Sequence, residues 1–412
     1  MSKQNKEKFI EPWIDESGWS VETFKKVETP CYVVSEEKIE KNLKILKSIE
    51  KETGVKILMA IKSFSMFSFF PLINKYLSGM EASSVNETRL CNEYKIKEVH
   101  IFSPSYTEKN IKEYIKYSDH LIFNSFSQWN KFKGIINRLN GDPPKRRKIS
   151  CGIRVNIEHS ESDISMYDPS RPNSHFGVTL KEFQKDNLAG LEGLHFHNLC
   201  ELNADALVRT LKVFEEKFGE FLPQMKWVNF GGGHHITRAD YDLELLKKTI
   251  LDFKSRYPHL TVYLEPGEAC ALNAGVLVTS VVDILRNEIN IAVLDVSATC
   301  HMPDVLEIPY LPHILDATIC GRPSSATSVE SKNTYRLVGP TCLTGDVIGE
   351  YSFSKPLEIG QKIIFLNMAI YTMVKNNTFN GVDLPSIAII DKKGKIKVIK
   401  KFGYKDFKER LS

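Results

Sequence analysis

The chain has 412 residues, of which 42% are hydrophobic and 26% are charged, a composition typical of a globular protein large enough for two domains. Its net charge of +4 is too small to indicate a nucleic-acid-binding protein. The eight cysteines include no CxxC pair, which argues against a zinc site or a disulfide framework. The sequence has no recognisable signal peptide and no long uncharged apolar run, so we expect a cytoplasmic protein without a membrane partner.

Residues 1–27 are polar and are predicted to form an N-terminal extension, with Trp13 and Trp19 as possible anchors. Short apolar runs then alternate with amphipathic helical patterns. The predicted strands are Thr29–Val34, Val55–Ile61, Met80–Ser83, Glu98–Ser103, His120–Asn124, Ser150–Asn156, Leu191–His197, Trp227–Phe230 and Leu260–Leu264. The predicted helices are one capped by Ser35, then Asn86–Lys95, Glu108–Tyr117, Gln128–Leu139, one with a stripe from Leu207 to Phe221, and Leu243–Arg256.

This alternation predicts parallel βαβ units. Eight to nine strands favour a closed (β/α)₈ barrel over residues 28–274, with an open doubly wound sheet as the alternative. From about residue 275 the helical pattern fades, which predicts a separate all-β domain over residues 275–412. Its predicted strands are Val276–Leu285, Ile291–Val296, Thr334–Val338, Lys362–Leu366, Ser386–Ile390 and Lys395–Lys400.

Reactive side chains collect at the ends of the predicted barrel strands, where (β/α)₈ enzymes place their active sites. Lys62 follows the apolar run Leu58–Ile61, and an amine buried there would lose its charge easily and become a nucleophile toward an aldehyde. Each such residue alone has a simpler explanation, such as a solvent-reaching lysine, a core histidine, a tight turn or a surface carboxylate. The strand-end candidates are Lys62, Arg154, His195, His197, Gly231–Gly233 and Glu265.

Taken together, these residues predict a site for pyridoxal 5'-phosphate. Lys62 would bind its aldehyde, and His195 would lie on the face of its ring. The amides of Gly232–Gly233 would approach its phosphate, because no Cβ intervenes. Glu265 would keep the pyridine nitrogen protonated, which makes the ring a stronger electron sink, and Arg154 is the candidate for orienting Glu265 or holding it ionised.

The order of motifs resembles that of the fold-type III, alanine-racemase-like decarboxylases of basic amino acids, and within them the carboxynorspermidine and carboxyspermidine decarboxylases. The resemblance covers roughly residues 28–390. The motifs are AIKS at 60–63, GLHFHNLC at 193–200, MKWVNFGGGHHI at 225–236, YLEPGEA at 263–269, HMPD at 301–304, TCLTGDVIGEY at 341–351 and TFNG at 378–381.

The resemblance implies a pyridoxal-phosphate-dependent decarboxylase of polyamine biosynthesis that works as a homodimer with shared active sites. Lys62, His195, Gly232–Gly233 and Glu265 keep the cofactor-binding roles described above. Tyr371 matches a tyrosine near the phosphate. Cys342 matches a cysteine that reaches into the partner subunit's site and protonates the product. The residues that match the contacts to the substrate amines are Glu268 and Asp304.

Glu268 stands where many relatives, including diaminopimelate and ornithine decarboxylases, have an arginine. An arginine suits an anionic group, whereas a glutamate attracts a cation, so other donors must replace the usual phosphate contact. Two alternatives stay open: a decarboxylase of diaminopimelate, ornithine, lysine or arginine, and a non-enzymatic barrel that binds pyridoxal phosphate. The sequence does not choose between norspermidine and spermidine as the product, since their precursors differ by one methylene.

Overall fold

The computed structural model describes residues 14–141, 148–162, 165–307, 310–321 and 333–412; Trp13 lies outside them. None of the described helices is long and apolar enough to span a membrane.

The strands are β1 (Cys31–Ser35), β2 (Lys56–Ala60), β3 (Gly79–Ala82), β4 (Val99–Phe102), β5 (His120–Phe123), β6 (Ser150–Arg154), β7 (Gly193–His195), β8 (Trp227–Asn229), β9 (Thr261–Leu264), β10 (Gly275–Asn287), β11 (Ile289–Leu294), β12 (Ala317–Gly321), β13 (Thr334–Val338), β14 (Val347–Phe353), β15 (Lys362–Phe365), β16 (Ser386–Ile390) and β17 (Ile396–Lys400).

The helices of the described residues follow the predicted amphipathic segments and add several short ones. The α-helices are α1 (Val21–Phe24), α2 (Glu36–Thr53), α3 (Phe70–Tyr76), α4 (Val85–Glu93), α5 (Glu108–Tyr117), α6 (Phe126–Gly141), α7 (Ala204–Phe218), α8 (Leu243–Arg256), α9 (Ala298–His301), α10 (Asp304–Glu307) and α11 (Tyr404–Leu411). Short 3₁₀ helices occupy Ile61–Ser63, Phe67–Phe69, Ser165–Tyr167, Leu180–Glu182, Lys185–Asn187, Gly219–Gln224, Glu268–Cys270 and Phe379–Gly381.

Residues Glu40–Cys270 form one compact unit, built on a closed barrel of the parallel strands β2 to β9. Each strand pairs with the next along the chain, and β9 pairs back with β2, where Lys56 lies opposite Tyr263. Side chains fill the interior, as in other barrels of this size. One interior cluster consists of Leu58, Phe102, Ile122, Trp227 and Tyr263. The predicted closed barrel is therefore confirmed, and the open sheet is wrong.

The helices pack through the apolar stripes that the sequence contains. In α7 the residues Leu207, Leu211, Phe214 and Phe218 recur at helical spacing and are all buried. Burying each such side chain contributes about 1.5–3 kcal/mol. Asn203 begins this helix by accepting a hydrogen bond from the N–H of Ala204 at 2.7 Å, which satisfies one of the amides that a helix start leaves open.

The second unit combines the chain up to Ile39 with Ala271–Ser412. It holds a nine-stranded mixed sheet in the order β12-β14-β13-β11-β10-β1-β16-β17, with β15 also paired to β10. The separate β domain that the sequence predicts is confirmed. Strands β12 and β14 and helix α11 were not predicted, because β12 is short, β14 contains Gly349 and the polar Glu350, and α11 is exposed without a buried face.

Strand β1 differs from the expectation that it begins the barrel. It pairs antiparallel with β10 and parallel with β16, so the barrel starts at β2 and residue 28 does not mark its boundary. All five residues of β1 are buried, and such a run cannot be assigned to one sheet by its pattern. Trp19 of the N-terminal extension is buried with Phe24 and Val33 in the core of this unit, as expected for an anchor.

Candidate active site

Lys62 lies in a 3₁₀ turn directly after β2. The turn is held by the Ser63 hydroxyl, which donates to the carbonyl of Ala60 at 2.9 Å, and by the N–H of Phe64, which donates to Ile61 at 3.0 Å. Ile61 and Ser63 are buried, but Lys62 is exposed. The structure thus corrects the expectation that the strand buries this lysine: β2 ends at residue 60, and Lys62 is an exposed residue of the turn that follows.

Charged and polar groups of neighbouring strands surround the Lys62 amine. Its charge acts on Glu81, Glu87 and His197. The loop after β9 packs directly on the lysine's turn at Gly267, where a Cβ would lie 2.4 Å from the Ser63 hydroxyl and 2.7 Å from the Ala60 carbonyl. Only glycine permits this approach, which brings the Lys62 turn and the loop that carries Glu265 together.

Glu265 is buried at the end of β9 and is held by two neighbours. Its Oε2 lies 3.2 Å from Nε2 of His195, and its Oε1 accepts a hydrogen bond of 2.6 Å from the amide of Asn229. Burial opposes the charge on Glu265, but His195 and the hydrogen bonds outweigh burial and lower the pKa of the carboxyl. Glu265 is therefore ionised. Sequence reasoning passed over Asn229, although it ends the strand that leads into the glycine run.

The sequence predicted that Arg154 orients Glu265 or holds it ionised, but no hydrogen bond joins these two side chains among the described residues. Its guanidinium donates to the carbonyl of His197 at 2.9 Å and lies over the rings of Phe102 and Phe176, 4.5 and 4.6 Å from their centroids. Burial lowers the pKa of Arg154 to about 10, which leaves it charged at neutral pH. Arg154 therefore acts on Glu265 only through its charge, while His195 and Asn229 orient the carboxylate.

The two histidines of the HFH motif have different surroundings. His195 is buried with its ring stacked on Phe102, 5.6 Å between centroids and 19° between planes, and burial lowers its pKa. Nδ1 of His195 is buried and lacks a hydrogen-bond partner among the described residues. His197 accepts a hydrogen bond from the N–H of Gly232 through Nδ1 at 2.9 Å. Burial and the charge of Lys62 hold the pKa of His197 well below its usual range, so its imidazole is neutral beside the lysine.

The glycine run after β8 is required by the packing of the chain itself. Gly231 and Gly233 have φ values of +72° and +80°, a region that side chains disfavour. A Cβ at Gly232 would lie 2.3 Å from the Glu265 carbonyl, and one at Gly233 would lie 1.9 Å from the Leu199 carbonyl. The Gly232 N–H, which was expected to face a phosphate, donates instead to His197.

Glu81, at the end of β3, is a buried acid that sequence reasoning missed. Burial, followed by repulsion from Glu265, raises the pKa of Glu81 to about 8, against the opposing charge of Lys62. The Ser83 hydroxyl donates to it at 2.8 Å. Of two neighbouring carboxyls, Glu265 is therefore ionised and Glu81 protonated at neutral pH, the division that marks many acid–base sites. Its position at a strand end was the available signal.

Glu268 follows Glu265 in the same loop and belongs to a second group of titratable side chains. Its Oε2 lies 3.1 Å from Nε2 of His235, and both residues are buried. The third member of the group is Glu201, which is exposed. One carboxylate oxygen or ring nitrogen of each residue lies within 4.8 Å of those of the other two. This arrangement concentrates negative charge near the strand ends, so it suits a cation.

The remaining predicted residues belong to the sheet unit. Oδ2 of Asp304, at the start of α10, accepts hydrogen bonds of 3.0 Å from the hydroxyls of Tyr310 and Thr372. Its Oδ1 is buried and has no hydrogen-bond partner in the described part of the chain, and burial raises the pKa of Asp304. Tyr371 has a left-handed backbone with φ of +44°. Cys342 is exposed.

The barrel residues fit pyridoxal 5'-phosphate. An exposed amine can reach an aldehyde, and a buried ionised carboxylate, Glu265, suits a pyridinium nitrogen. A neutral imidazole, His197, interacts with the charge of Lys62. The chemistry of this set of groups, rather than any one of them, matches the cofactor that the sequence predicts.

Comparison with known proteins agrees with this description. Residues 31–369 match the model of the family described as pyridoxal-dependent decarboxylase, C-terminal sheet domain. The chain is 44% identical to a carboxynorspermidine/carboxyspermidine decarboxylase of Campylobacter jejuni, over 94% of this chain and 99% of that protein. It is 38% identical to a carboxyaminopropylagmatine decarboxylase of Synechocystis, over 93% and 95% of the two chains.

Solved structures give the same result. The crystal structure of carboxynorspermidine decarboxylase from Campylobacter jejuni in complex with norspermidine matches with a TM-score of 0.85 and 43% identity, over 93% of this chain and 100% of that one. Diaminopimelate decarboxylase from Helicobacter pylori matches with a TM-score of 0.77 over 95% and 98% of the two chains. At 20% identity, this second match supports the fold alone.

Proposed function

Because the chain belongs to the family of pyridoxal-dependent decarboxylases, we propose that it decarboxylates carboxynorspermidine or carboxyspermidine and so produces norspermidine or spermidine. The observation that carries the choice of substrate is Glu268, a buried carboxylate three residues after Glu265. A substrate with a carboxylate at its far end would be repelled there, whereas an ammonium group would be attracted. The Campylobacter jejuni relative bears the names of these same substrates.

Each barrel residue has a separate task in this proposal. Lys62 Nζ anchors the cofactor, and Glu265 holds a proton at the pyridine nitrogen. His197 covers the ring, rather than His195, because His195 is engaged with Glu265 at 3.2 Å and His197 neighbours Lys62. When bound, pyridoxal phosphate supplies the electron sink that accepts the electron pair left behind by CO₂.

Three residues of the sheet unit also have roles in this proposal. The Sγ–H of Cys342 gives its proton to the substrate's α-carbon after CO₂ has left, and solvent restores that proton. Tyr371 is proposed to contact the phosphate. Asp304 is proposed to meet a substrate amine, which is supported by its buried Oδ1 without a partner among the described residues. An ammonium buried without such a partner would cost several kcal/mol.

The proposal includes a homodimer in the cytoplasm. Cys342 is exposed, and its N–H donates to Asn380 at 2.8 Å, which supports a fixed loop that presents the thiol to a second subunit. All eight cysteines are free thiols, as expected in a reducing compartment.

A substrate panel tests the proposal. CO₂ release is measured with carboxynorspermidine, carboxyspermidine, carboxyaminopropylagmatine, diaminopimelate, ornithine, lysine and arginine. We expect the highest kcat/KM with a carboxynorspermidine-type substrate, and Asp304→Asn to lower it on the order of tenfold to a thousandfold without changing the cofactor absorbance. Faster turnover of any simple amino acid would contradict the choice of substrate. Cofactor absorbance without CO₂ release from any of them would favour a binding protein.

Carboxyaminopropylagmatine is the second candidate substrate. The Synechocystis relative named for it is 38% identical, only slightly more distant than the Campylobacter jejuni protein. Its guanidinium group would also suit Glu268, since a carboxylate can accept two parallel hydrogen bonds from it. The ratio of the kcat/KM values for the two substrate types decides between them.

A further inference from the structure

We propose that His235 is a positioning residue whose proton occupies the place that a substrate ammonium group takes between Glu268 and Glu201, so that polyamine binding releases this proton. The inference rests on the proposed function and deepens it, since it adds Glu201 and His235 to the cation site and makes capture of the substrate dependent on pH.

The geometry groups one imidazole with two carboxylates. Nε2 of His235 is 3.1 Å from Oε2 of Glu268, and the ligand atoms of the three residues lie within 4.8 Å of one another. His235 is 1% and Glu268 9% exposed, whereas Glu201 is exposed. The group therefore leads from solvent toward a buried carboxylate, a path on which a flexible cationic chain meets one acid after another.

The charges that face His235 come from several segments. Arg238 lies three residues further on, and its guanidinium donates to the Glu201 carbonyl at 3.2 Å. His234 contributes no charge at neutral pH, because burial lowers its pKa to about 4. The thiol of Cys200 is neutral as well, since burial and the charges of Glu201 and Glu268 raise its pKa. The protonation of His235 thus depends on two carboxylates, which favour the charged imidazole, and one guanidinium, which opposes it.

These charges favour a proton on His235. Burial opposes the charged imidazole, but Glu268, through its charge and its hydrogen bond, and then Glu201 outweigh burial and Arg238, and they raise the pKa of His235 above its usual value. An ammonium group that binds to the same carboxylates repels the charged imidazole and so lowers the pKa of His235. The proton and the substrate therefore compete for one site.

The competition fixes the sign of the pH dependence. As the pH falls, a larger fraction of His235 carries a proton. Glu268 is then paired with the charged imidazole, so the polyamine binds more weakly. As the pH rises through the pKa of His235, the proton leaves without help and binding strengthens. Because the pKa of His235 is raised, we expect the change to extend above about pH 6.5, the usual value for histidine, and linkage requires that binding release protons in that window.

Calorimetry of the holoenzyme with norspermidine tests the release directly. Titrations near neutral pH in two buffers with different ionisation enthalpies give the number of protons released. We expect up to about one proton for the wild type and less for His235→Gln, which isolates the contribution of His235 from protons that norspermidine itself exchanges. Glu201→Gln, at an exposed position that leaves folding intact, should bind norspermidine more weakly and release fewer protons. Glu182→Gln, another exposed glutamate of the barrel unit, should match the wild type.

Steady-state kinetics gives a second readout. The KM of the wild type for its carboxy-polyamine should rise as the pH falls, and in His235→Gln this slope should flatten while kcat changes less than KM. A merely structural role would alter KM by the same factor at every pH. Equal proton release by wild type and both variants, with parallel KM profiles, overturns the inference. Absence of CO₂ release from carboxy-polyamines by the wild type would instead count against the proposed function.

Discussion

Two carboxyls that lie close together in a buried site rarely share one protonation state. Glu265 accepts hydrogen bonds from neighbouring residues and is ionised, and its charge helps to raise the pKa of Glu81 to about 8. The difference arises from hydrogen-bond partners rather than from residue type, since both residues are glutamates. Glu81 thus supplies a neutral acid beside Lys62, and Glu265 supplies the negative charge.

Substitution of each acid by glutamine separates these roles. Glu265→Gln removes the negative charge, so kcat should fall on the order of a hundredfold while the cofactor stays bound. Glu81→Gln resembles the protonated acid, so it should mainly remove the change in activity that the wild type shows near pH 8 as Glu81 ionises. The pH profile of kcat measures both effects. A wild-type kcat for Glu265→Gln, or an unchanged alkaline limb for Glu81→Gln, would contradict the assignment.

The residues that sequence reasoning found and those it missed differ in a physical way. Lys62 and Glu265 stand out because a charge at the end of an apolar run is visible in one segment. Asn229 and Glu81 acquire their significance only from contacts across strands that are far apart in sequence, and so does the role proposed for His197, which the sequence placed only among the strand-end candidates. A pattern in one strand contains no information about which nitrogen of a histidine meets which carboxylate. The contact between His195 and Glu265 could therefore not be predicted, and it is the reason why we propose His197 rather than His195 for the face of the cofactor ring.

At the level of the elements, the opposite ends of the barrel strands hold a second polar network. Glu98 precedes β4, and its carboxylate lies 2.6 Å from Lys56 Nζ and 2.7 Å from the Tyr263 hydroxyl. It also lies 3.1 Å from Nε2 of His100, whose ring stacks on His120 at 3.9 Å. Lys56 begins β2, His120 begins β5, and His100 and Tyr263 lie within β4 and β9. The network thus joins four barrel strands at the end away from Lys62, where such contacts serve stability rather than catalysis.

Glu98→Gln should weaken this junction. Burial opposes the charge, but the hydrogen bonds and charges of His100 and Lys56 outweigh it and lower the pKa of Glu98. Because this pKa is lower in the folded state, the ionised Glu98 stabilises the fold at pH values above its unfolded-state pKa of about 4.3. We therefore expect the variant to lose about 1–3 kcal/mol at pH 7, and the difference to shrink only as the pH falls below about 4.3.

Urea denaturation of the holoenzyme at several pH values measures this loss. The matched control is Glu113→Gln, which removes the partly exposed ion pair with Arg89 at 3.3 Å and should change stability by no more than about 1 kcal/mol. Equal effects of the two substitutions at pH 7 would show that the Glu98 network is no more than another surface ion pair.

At the scale of the whole molecule, the sequence predicted the barrel because its eight strands and their helices repeat one local pattern. The sheet unit was predicted less completely, because it is assembled from distant parts of the chain: β1 pairs with β10 and β16, more than 200 residues away in sequence. Hydrophobic runs indicate that strands exist, but pairing across such distances follows from long-range packing. The motifs, in contrast, predicted the family that the comparisons confirm.

The proposed dimer leads to a complementation experiment with two impaired variants. Lys62→Ala should lack covalently held cofactor and turnover, and Cys342→Ala should have a low kcat because no thiol returns the proton. If Cys342 serves the partner's site, one of the two sites in each mixed dimer contains both residues. Random exchange makes half of the dimers mixed, so about a quarter of the wild-type activity should return.

The matched control pairs Lys62→Ala with Glu265→Gln, whose residues lie in the same barrel unit of one chain. Every site of their mixed dimers carries one defect, so activity should not return above that of the parents. Exchange is verified by differently tagged subunits and mass measurement of the mixed species. If Lys62→Ala and Cys342→Ala also fail to complement after verified exchange, both residues serve one chain's site, and the shared site must be rejected. Recovery in the control as well would mean that subunits supply barrel residues to each other, an arrangement that a closed barrel formed by a single chain does not permit.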